Sequence, residues 1–298
     1  MRSFPSKEER HQPFGSVPPT LGTKPLQKED MTDIQKTEQD FYFHLEQVGI
    51  CRMSYPVHIV SKMAPQRQTT TAEFTLCTSL PAHQKGIHMS RLTEQLHSFY
   101  ESSKPLDVNA LKELSAALAR KMNQSSASVQ VSFPWYIEKQ SPVTGQSGLM
   151  HATITYDVHF HEKDGWTCHV GRDAQVTTLC PCSKEISEYG AHNQRGSVSI
   201  LVGLFEQALL PDDIKAALLH IIESNASAPL YPVLKRPDEK KVTEEAYENP
   251  RFVEDITRLI AIELYEQPWI KSFQIECRNE ESIHQHDAYA KCSYQKSL

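Results

Sequence analysis

The chain has 298 residues, of which 39% are hydrophobic and 23% charged, and its formal net charge is −6. This is enough chain for one large domain or two of ordinary size, and no run approaches the roughly 20 apolar residues that span a membrane. Lys and Arg are scattered rather than gathered into a basic stripe, which argues against a nucleic-acid surface. Because the N-terminus also has no apolar signal segment, we expect a cytoplasmic protein with neither a membrane nor a nucleic acid as partner.

Residues 1–38 are rich in Pro, Gln, Lys, Ser and Thr, and no hydrophobic period is sustained through them. A segment of this composition cannot bury enough apolar surface to offset the entropy of ordering it. We therefore predict a flexible N-terminal arm over residues 1–38, with regular structure beginning near Phe41.

The segment after the arm carries strand and helix patterns in the order ββααββ. Stretches rich in β-branched residues predict the strands, and apolar residues three and four positions apart predict the helices. The second helix has Leu111, Leu114 and Leu118 on one face. The predicted elements are strands 48–61 and 69–80, helices starting at Ser90 and near Asp107, and strands 128–138 and 150–161.

The second half repeats this order. Asn249-Pro250 is a typical helix start, since Asn is a favoured N-cap and Pro fits the first helical position. Residues 225–248 are predicted to be a long loop between the two helices, and long loops inside a domain are often functional. The predicted elements are strands 167–178 and 196–204, helices over 211–224 and from Asn249 onward, and strands 269–277 and 288–294.

Two units of the same element order predict an α+β fold, with antiparallel sheets and the helices packed on one face. The boundary falls at Asp164-Gly165 and gives units over residues 39–164 and 165–298. A cysteine segment and the long loop both lie in the second unit, so we place the functional site there.

The seven cysteines are expected to be reduced thiols, since the chain shows no export signal. Cys180 and Cys182 lie between two predicted strands, and His192 follows shortly after them. Thiolate and imidazole ligands suit Zn²⁺ or Fe²⁺, and a catalytic zinc site needs three protein ligands and an open position. Cys180, His192 and one carboxylate would meet that need. The alternative is two loop cysteines without a role, because a free Cys often behaves as a small hydrophobe.

Glu281, His284 and His286 form a second polar cluster, just before the last predicted strand. In extended backbone the two histidines point to the same face, so they could act together on one ligand. The same spacing recurs at His159 and His161, which weakens this inference. Surface histidines without a function are the alternative.

Several charged residues could also belong to a site. Side chains of Lys and Arg near the cysteines and in the long loop could bind an anionic ligand. Glu239 could supply the missing carboxylate, although a solvated charged loop is the alternative for the whole segment. Glu254, in the first turn of the last predicted helix, would ordinarily complement the helix dipole. The basic candidates are Lys184, Arg195, Lys235 and Arg236.

These segments together resemble one family, the type IB GTP cyclohydrolases. The resemblance spans nearly the whole chain, and the sixteen-residue cysteine run is its most specific part. The matching runs are Cys180-Pro-Cys-Ser-Lys-Glu-Ile-Ser-Glu-Tyr-Gly-Ala-His-Asn-Gln-Arg195, Leu234-Lys-Arg-Pro-Asp-Glu-Lys240, Tyr247-Glu-Asn-Pro-Arg-Phe-Val-Glu-Asp255 and Glu281-Ser-Ile-His-Gln-His286.

The resemblance implies a fold and a reaction. The family has the tunnelling fold, in which two ββααββ units per chain associate into barrels, and its members form homotetramers. It converts GTP and water to 7,8-dihydroneopterin triphosphate and formate. It uses one divalent metal ion per active site (Zn, Fe or Mn) and no organic cofactor.

The resemblance also implies roles for individual residues. Cys180, His192 and Glu239 match the metal ligands, and Cys182 matches the active-site cysteine near C8 of the purine. Glu254 matches the residue that accepts the N1 and N2 hydrogens of guanine. The matches to groups that could move protons are Glu281, His284 and His286, while Lys184, Arg195, Lys235 and Arg236 are assigned to the anionic substrate on charge.

The sequence also allows two other interpretations of the function. One is another tunnelling-fold enzyme, such as a deazapurine nitrile reductase, which would use a Cys and NADPH and would not require His192 and Glu239. The other is a metal-binding interaction protein without turnover, in which Cys180 and His192 are structural. Within the cyclohydrolase reading, the sequence does not decide whether metal-bound water or Cys182 attacks C8.

Overall fold

The computed structural model describes residues 4–18, 25 and 27–297, and its main feature is one large antiparallel sheet. The strands are β1 (Leu45–Val60), β2 (Arg67–Leu80), β3 (Ser126–Gln140), β4 (Ser147–His161), β5 (Gly165–Leu179), β6 (Asn193–Leu204), β7 (Ala228–Pro229), β8 (Ile270–Asn279) and β9 (Ala288–Gln295). The helices are α1 (Lys7–His11), α2 (Ser90–Glu101), α3 (Val108–Met122), α4 (Pro181–Ile186), α5 (Ile214–Ser224), α6 (Arg236–Glu248) and α7 (Val253–Glu266).

The sheet runs in the order β1-β2-β3-β4-β5-β6-β8-β9, and the short β7 pairs with β5. β4 and β5 pair across the predicted boundary, with Ile154 opposite Arg172 and His161 opposite Gly165. The two predicted units therefore share one continuous sheet. The predicted α+β class with antiparallel strands is confirmed.

The hydrophobic core lies between the sheet and the helices. Along β3, every second residue from Val129 to Ile137 is buried, as strand periodicity requires when one face is covered. Leu111 and Leu118 of α3 and Ile256 and Ile260 of α7 are fully buried against that side. In the part of the chain that is described, no helix combines the length and apolarity needed to cross a membrane.

The prediction of a long loop over residues 225–248 is wrong. β7 and the thirteen-residue α6 occupy most of that segment, so the second unit carries α5, α6 and α7 between its strand pairs. Only Asp238 and Ala246 of α6 are buried. A helix with so few buried residues has no apolar stripe, and hydrophobic periodicity therefore does not reveal it.

The predicted helix start at Asn249-Pro250 is also wrong. Asn249 is the C-cap of α6, and its N–H donates to the carbonyl oxygen of Glu245. Pro250 cannot continue a helix because it lacks an N–H. The N-cap of α7 is Phe252, whose N–H donates to the carboxylate of Asp255 at 2.9 Å.

The predicted flexible arm falls partly outside the described residues, which omit 1–3, 19–24 and 26. Within 4–18, the short α1 is followed by a 3₁₀ turn over Gln12–Phe14. The ring of Phe14 packs on Phe41 with 5.5 Å between centroids, and Lys85 Nζ donates to the carbonyl oxygen of Pro13. These contacts place the described part of the arm against the start of the folded region.

Asp238 connects the two predicted units. Its side chain is fully buried and accepts hydrogen bonds from the N–H groups of Val143 and Thr144, both at 2.8 Å. It also accepts from the Thr144 hydroxyl at 2.6 Å and from the Lys235 N–H at 2.9 Å. Burial alone would raise the pKa of Asp238, but these hydrogen bonds hold it below the ordinary value of 3.8. The carboxylate thus fixes the start of α6 to the β3–β4 turn.

We expect Asp238→Ala to lower the melting temperature by several degrees at pH 7, because four donors lose their acceptor. The folded-state pKa is depressed, so the stabilisation is complete above pH 3.8 and is lost as the pH falls below it. The difference between variant and wild type should therefore shrink in acid. Thermal unfolding followed by circular dichroism at several pH values measures this, with Asp212→Ala, an exposed aspartate, as control. Equal melting temperatures for Asp238→Ala and wild type at pH 7 would contradict the anchoring role.

Candidate active site

The cysteine segment forms a tight turn between β5 and β6. The strand ladder ends at the pair Leu179 and Asn193, and Cys180 becomes the N-cap of α4, with Pro181 at a position that needs no N–H. The Cys180 N–H donates to the carbonyl oxygen of His192 at 3.1 Å. Ser183 connects the start of the turn with its end, since its hydroxyl donates to the Cys180 carbonyl and accepts from the His192 N–H, both at 3.1 Å. The backbones of Cys180 and His192 are thus adjacent, while their role as metal ligands stays a prediction.

A buried amide sets the orientation of the His192 ring. His192 Nδ1 lies 3.0 Å from Gln194 Oε1, and Gln194 Nε2 donates to the Thr178 hydroxyl at 3.1 Å. Gln194 and Thr178 are both buried. Gln194 thus engages the Nδ1 side of the ring and leaves Nε2 as the nitrogen that can face a ligand. The sequence analysis does not single out Gln194 or Thr178. His192 comes directly before β6 and Gln194 is the second residue of that strand, a spacing of two that places side chains on one face of an extended backbone.

The β8–β9 loop lies beside this turn. The Glu280 N–H donates to the carbonyl oxygen of Arg195 at 2.9 Å, and Ser282 Oγ lies 3.5 Å from His192 Nδ1. The rings of His284 and His286 are stacked, with centroids 4.9 Å apart and planes 12° from parallel. Their backbone is a series of turns and bends rather than the extended chain that was predicted, but the two rings do lie together. Glu281 is half-buried at the start of the same loop.

The connection between α6 and α7 forms the third side of the site. The Arg251 N–H donates to the carbonyl oxygen of Leu179 at 2.9 Å. Lys184 Nζ donates to the carbonyl oxygen of Tyr247 at 2.5 Å and lies 4.4 Å from the centre of its ring. Lys184 therefore binds the C-terminal end of α6, where a cation complements the helix dipole. Glu254 is exposed in the first turn of α7, three residues after Arg251.

Cys182 and Arg195 are both exposed. Cys182 lies in the first turn of α4, two residues beyond Cys180, and Arg195 lies on β6, three residues beyond His192. The thiol of Cys182 is thus accessible to a ligand bound over the turn.

The other predicted residues lie at the opposite end of α6. Lys235, Arg236 and Glu239 are exposed beside the β3–β4 turn to which Asp238 is bound. At 1.5 Å per residue, Glu239 is roughly 12 Å along the axis from Tyr247, the residue that contacts the cysteine turn. Among residues 4–18, 25 and 27–297, no group of three His, Cys, Asp or Glu side chains is placed to hold one metal ion. Cys180, His192 and Glu239 are therefore not brought together in the single chain.

Residues 31–290 match the protein family described as type I GTP cyclohydrolase FolE2. The chain belongs to the FolE2 family. A FolE2 relative from Bacillus licheniformis, named GTP cyclohydrolase FolE2, is 56% identical over 293 residues, which is 98% of each chain. The relative of that name from Bacillus subtilis is 54% identical over 295 residues, covering 99% of this chain and 97% of the other. The family predicted from the motifs is confirmed.

The FolE2 chain is also similar in structure to a uricase from Bacillus fastidious. The TM-score is 0.51 at 9% sequence identity, with 84% of this chain and 93% of the uricase covered. At this identity the likeness concerns the fold alone. It agrees with the tunnelling fold that the FolE2 motifs imply.

Proposed function

We propose that this chain is a GTP cyclohydrolase I, which opens the imidazole ring of GTP at C8, releases formate and forms 7,8-dihydroneopterin triphosphate. The observation that carries the proposal is the 56% identity to a GTP cyclohydrolase FolE2 over 98% of both chains. The geometry supports it, because the cysteine turn, the histidine loop and the α6–α7 connection converge on one surface.

A divalent metal ion fits the donors at the cysteine turn. Cys180 and His192 are adjacent along the turn, and Gln194 contacts the Nδ1 side of the His192 ring, which leaves Nε2 as the nitrogen that would bind the metal. Thiolate and imidazole suit Zn²⁺ and Fe²⁺, and a carboxylate ligand widens the choice to Mn²⁺. Glu239 would complete the set in the assembled, metal-bound enzyme. When bound, the ion would lower the pKa of a water molecule toward about 7 and so supply hydroxide at neutral pH.

The exposed side chains around the turn would bind the substrate. The Glu254 carboxylate only accepts hydrogen bonds, which matches the N1 and N2 hydrogens of guanine. Arg195 would be one cation for the triphosphate, and Lys235 and Arg236, exposed at the far end of α6 in the single chain, would contribute to binding it in the assembled enzyme. In the free chain, Lys184 donates a hydrogen bond to the carbonyl oxygen of Tyr247 in α6. To bind the triphosphate as predicted, Lys184 would have to break that hydrogen bond.

Side chains of the β8–β9 loop would transfer the protons. Purine C8 is a weak electrophile, and protonation at N7 makes it susceptible to attack. Histidine is the side chain that most often acts as a general acid and base, and His284 and His286 would deliver and recover the protons. Water adds at C8 and one C–N bond opens to give a formamide, and a second water hydrolyses the formamide to formate and a free amine. The ribose then rearranges to a ketone that condenses with this amine, which closes the pterin ring and returns one water. Cys182, exposed beside the turn, is the alternative attacking group.

We further propose that the active enzyme is a homotetramer whose sheets close into a barrel. β1 and β9 each pair with one neighbour among the described strands. Apart from the bridge between His58 and Pro105 on β1, both edges of the sheet are open to another copy. Open edges of this length are normally covered in the functional protein.

A turnover assay tests the proposed function. The purified chain is incubated with GTP, the products are oxidised, and fluorescent pterin and formate are measured. We expect both products in equal amounts, loss of turnover with a chelator, and recovery when Zn²⁺, Fe²⁺ or Mn²⁺ is returned. A metal-binding protein without turnover would give no pterin, and a nitrile reductase would instead consume NADPH with a deazapurine nitrile. Either result would overturn the proposal.

A further inference from the structure

An exposed apolar surface lies where the N-terminal arm meets the start of β1. Phe14, Phe43 and Leu45 are 53%, 65% and 47% exposed. The arm connects them, since the ring centroid of Phe4 lies 5.6 Å from those of Phe43 and Tyr42, and that of Tyr42 lies 6.1 Å from Phe14. Contiguous apolar surface on a soluble protein often marks a contact with another molecule. We call Phe14, Phe43 and Leu45 the arm surface.

A second exposed aromatic group lies on the opposite edge of the sheet. Tyr294 is the last residue but one of β9, and its ring centroid lies 5.4 Å from that of Tyr265 on α7. The two side chains are 46% and 51% exposed. Tyr294 is opposite Phe273 of β8, which is buried in the core. Opposite residues of a strand pair share one face, so Tyr294 lies on the helix-covered side of the sheet. We call Tyr265 and Tyr294 the tyrosine pair.

The arm surface and the tyrosine pair lie at the same end of the sheet. Successive strands in the order β1-β2-β3-β4-β5-β6-β8-β9 are antiparallel, so β1 and β9 run in opposite directions and the start of β1 is level with the end of β9. Leu45 is opposite Leu80, which is buried in the core, and so it also lies on the helix-covered side. A second copy whose β9 met β1 as an antiparallel neighbour would therefore bring its tyrosine pair beside the arm surface.

The chain already contains a strand pair of this form. β4 is the last strand of the first predicted unit and β5 the first strand of the second, and the end of β4 pairs with the start of β5. There Phe160 is opposite Trp166, with ring centroids 5.1 Å apart. Phe160 is the last residue but one of β4, as Tyr294 is of β9. Aromatic packing thus joins the end of one unit to the start of the next within the chain, and the arm surface and the tyrosine pair can make the same kind of contact between copies.

We propose that the arm surface of one copy packs on the tyrosine pair of a second copy of this chain, so that the N-terminal arm is part of a subunit interface. Such a contact removes two exposed apolar groups from water and covers the adjoining open edges of the sheet. It rests on the barrel assembly proposed above but not on the reaction. The start of β1 and the cysteine turn, which follows the end of β5, lie at opposite ends of the sheet.

Sedimentation velocity over a range of protein concentrations tests this contact. Phe43→Ser and Tyr294→Ser should each raise the concentration at which the assembly half-dissociates by about 10- to 100-fold. The double variant should be little worse than the worse single variant, because both changes remove the same contact. Leu209→Ser, which changes a 94% exposed leucine between β6 and α5, should assemble as wild type. Equal assembly of wild type and Phe43→Ser, or effects that multiply in the double variant, would overturn the proposal. Turnover of GTP by the wild type tests the proposed function separately.

Chemical cross-linking covers the case in which a serine variant does not fold. The exposed thiols of Cys51 and Cys182 are first replaced by alanine. In that background, a short bismaleimide should join Phe43→Cys of one copy to Tyr294→Cys of another and give a covalent dimer on a denaturing gel. Phe43→Cys combined with Leu209→Cys is the matched control and should stay monomeric on the gel. A first pair that gives no dimer, or dimer in equal amounts from both pairs, would contradict the contact.

Discussion

Cys182→Ala should lower kcat for GTP by about 10³-fold or more while the protein keeps its metal. Cys182 is exposed in the first turn of α4, where its thiol can reach a ligand but is not needed to hold the turn together. Cys180→Ala should lower turnover to a similar extent for a different reason, because it removes a proposed metal ligand beside His192. Metal content measured by mass spectrometry should therefore separate the two variants, with metal retained in Cys182→Ala and lost in Cys180→Ala.

Cys51→Ala is the matched control, since Cys51 is an exposed cysteine on β1, far along the sheet from β5. Its turnover and metal content should equal those of the wild type. Undiminished turnover in both Cys180→Ala and Cys182→Ala would refute the assignment of the site. Metal loss in Cys182→Ala with metal retained in Cys180→Ala would reverse the roles of the two thiols.

Glu254→Gln should raise KM for GTP by about 10- to 100-fold and change kcat much less. The carboxylate of Glu254 is exposed in the first turn of α7 and can accept from both hydrogen-bearing nitrogens of the guanine edge. The amide presents a donor to one of those hydrogens, so one hydrogen bond is lost and a repulsion replaces it. Since the guanine edge does not react, the lost interaction weakens substrate and transition state alike.

Glu266→Gln provides the control for this prediction. Glu266 is exposed at the other end of α7, so the same change is made on the same helix, roughly 18 Å away. Steady-state kinetics with GTP measure both variants. An unchanged KM in Glu254→Gln would remove Glu254 from the purine pocket, and an equal rise in both variants would indicate a general effect of charge.

Local patterns predicted much of the fold correctly. The apolar spacing of Leu111, Leu114 and Leu118 predicted α3, and the strand patterns predicted every strand of both units except the two-residue β7. These signals work where one face of an element is buried, because burial selects apolar residues at the period of the element. α6 gave no such signal, since Asp238 and Ala246 are its only buried residues. The start of α7 was misplaced because Asn249 ends one helix three residues before Phe252 caps the next.

The roles of the site residues stay predictions, and the structure shows only how those residues are arranged. The run from Cys180 to Arg195 predicted the family and brought Cys180 and His192 together, because a short turn between paired strands leaves few alternatives. The sequence did not indicate that Gln194 orients His192, or that α6 directs its C-terminal end, rather than Glu239, toward the cysteine turn.

The sequence by itself determined the elements with a buried face, the family and the chemistry of the individual side chains. The tertiary structure decided which of those side chains share a surface, and which charges lose their contact with water. Arg172 shows the difference: on the sequence it is one cation among many, and only packing leaves it buried while Lys139 and Lys215 hold the carboxylates. The physical reason is that propensity and periodicity act over a few residues, whereas desolvation and pairing of charges depend on neighbours distant in the chain.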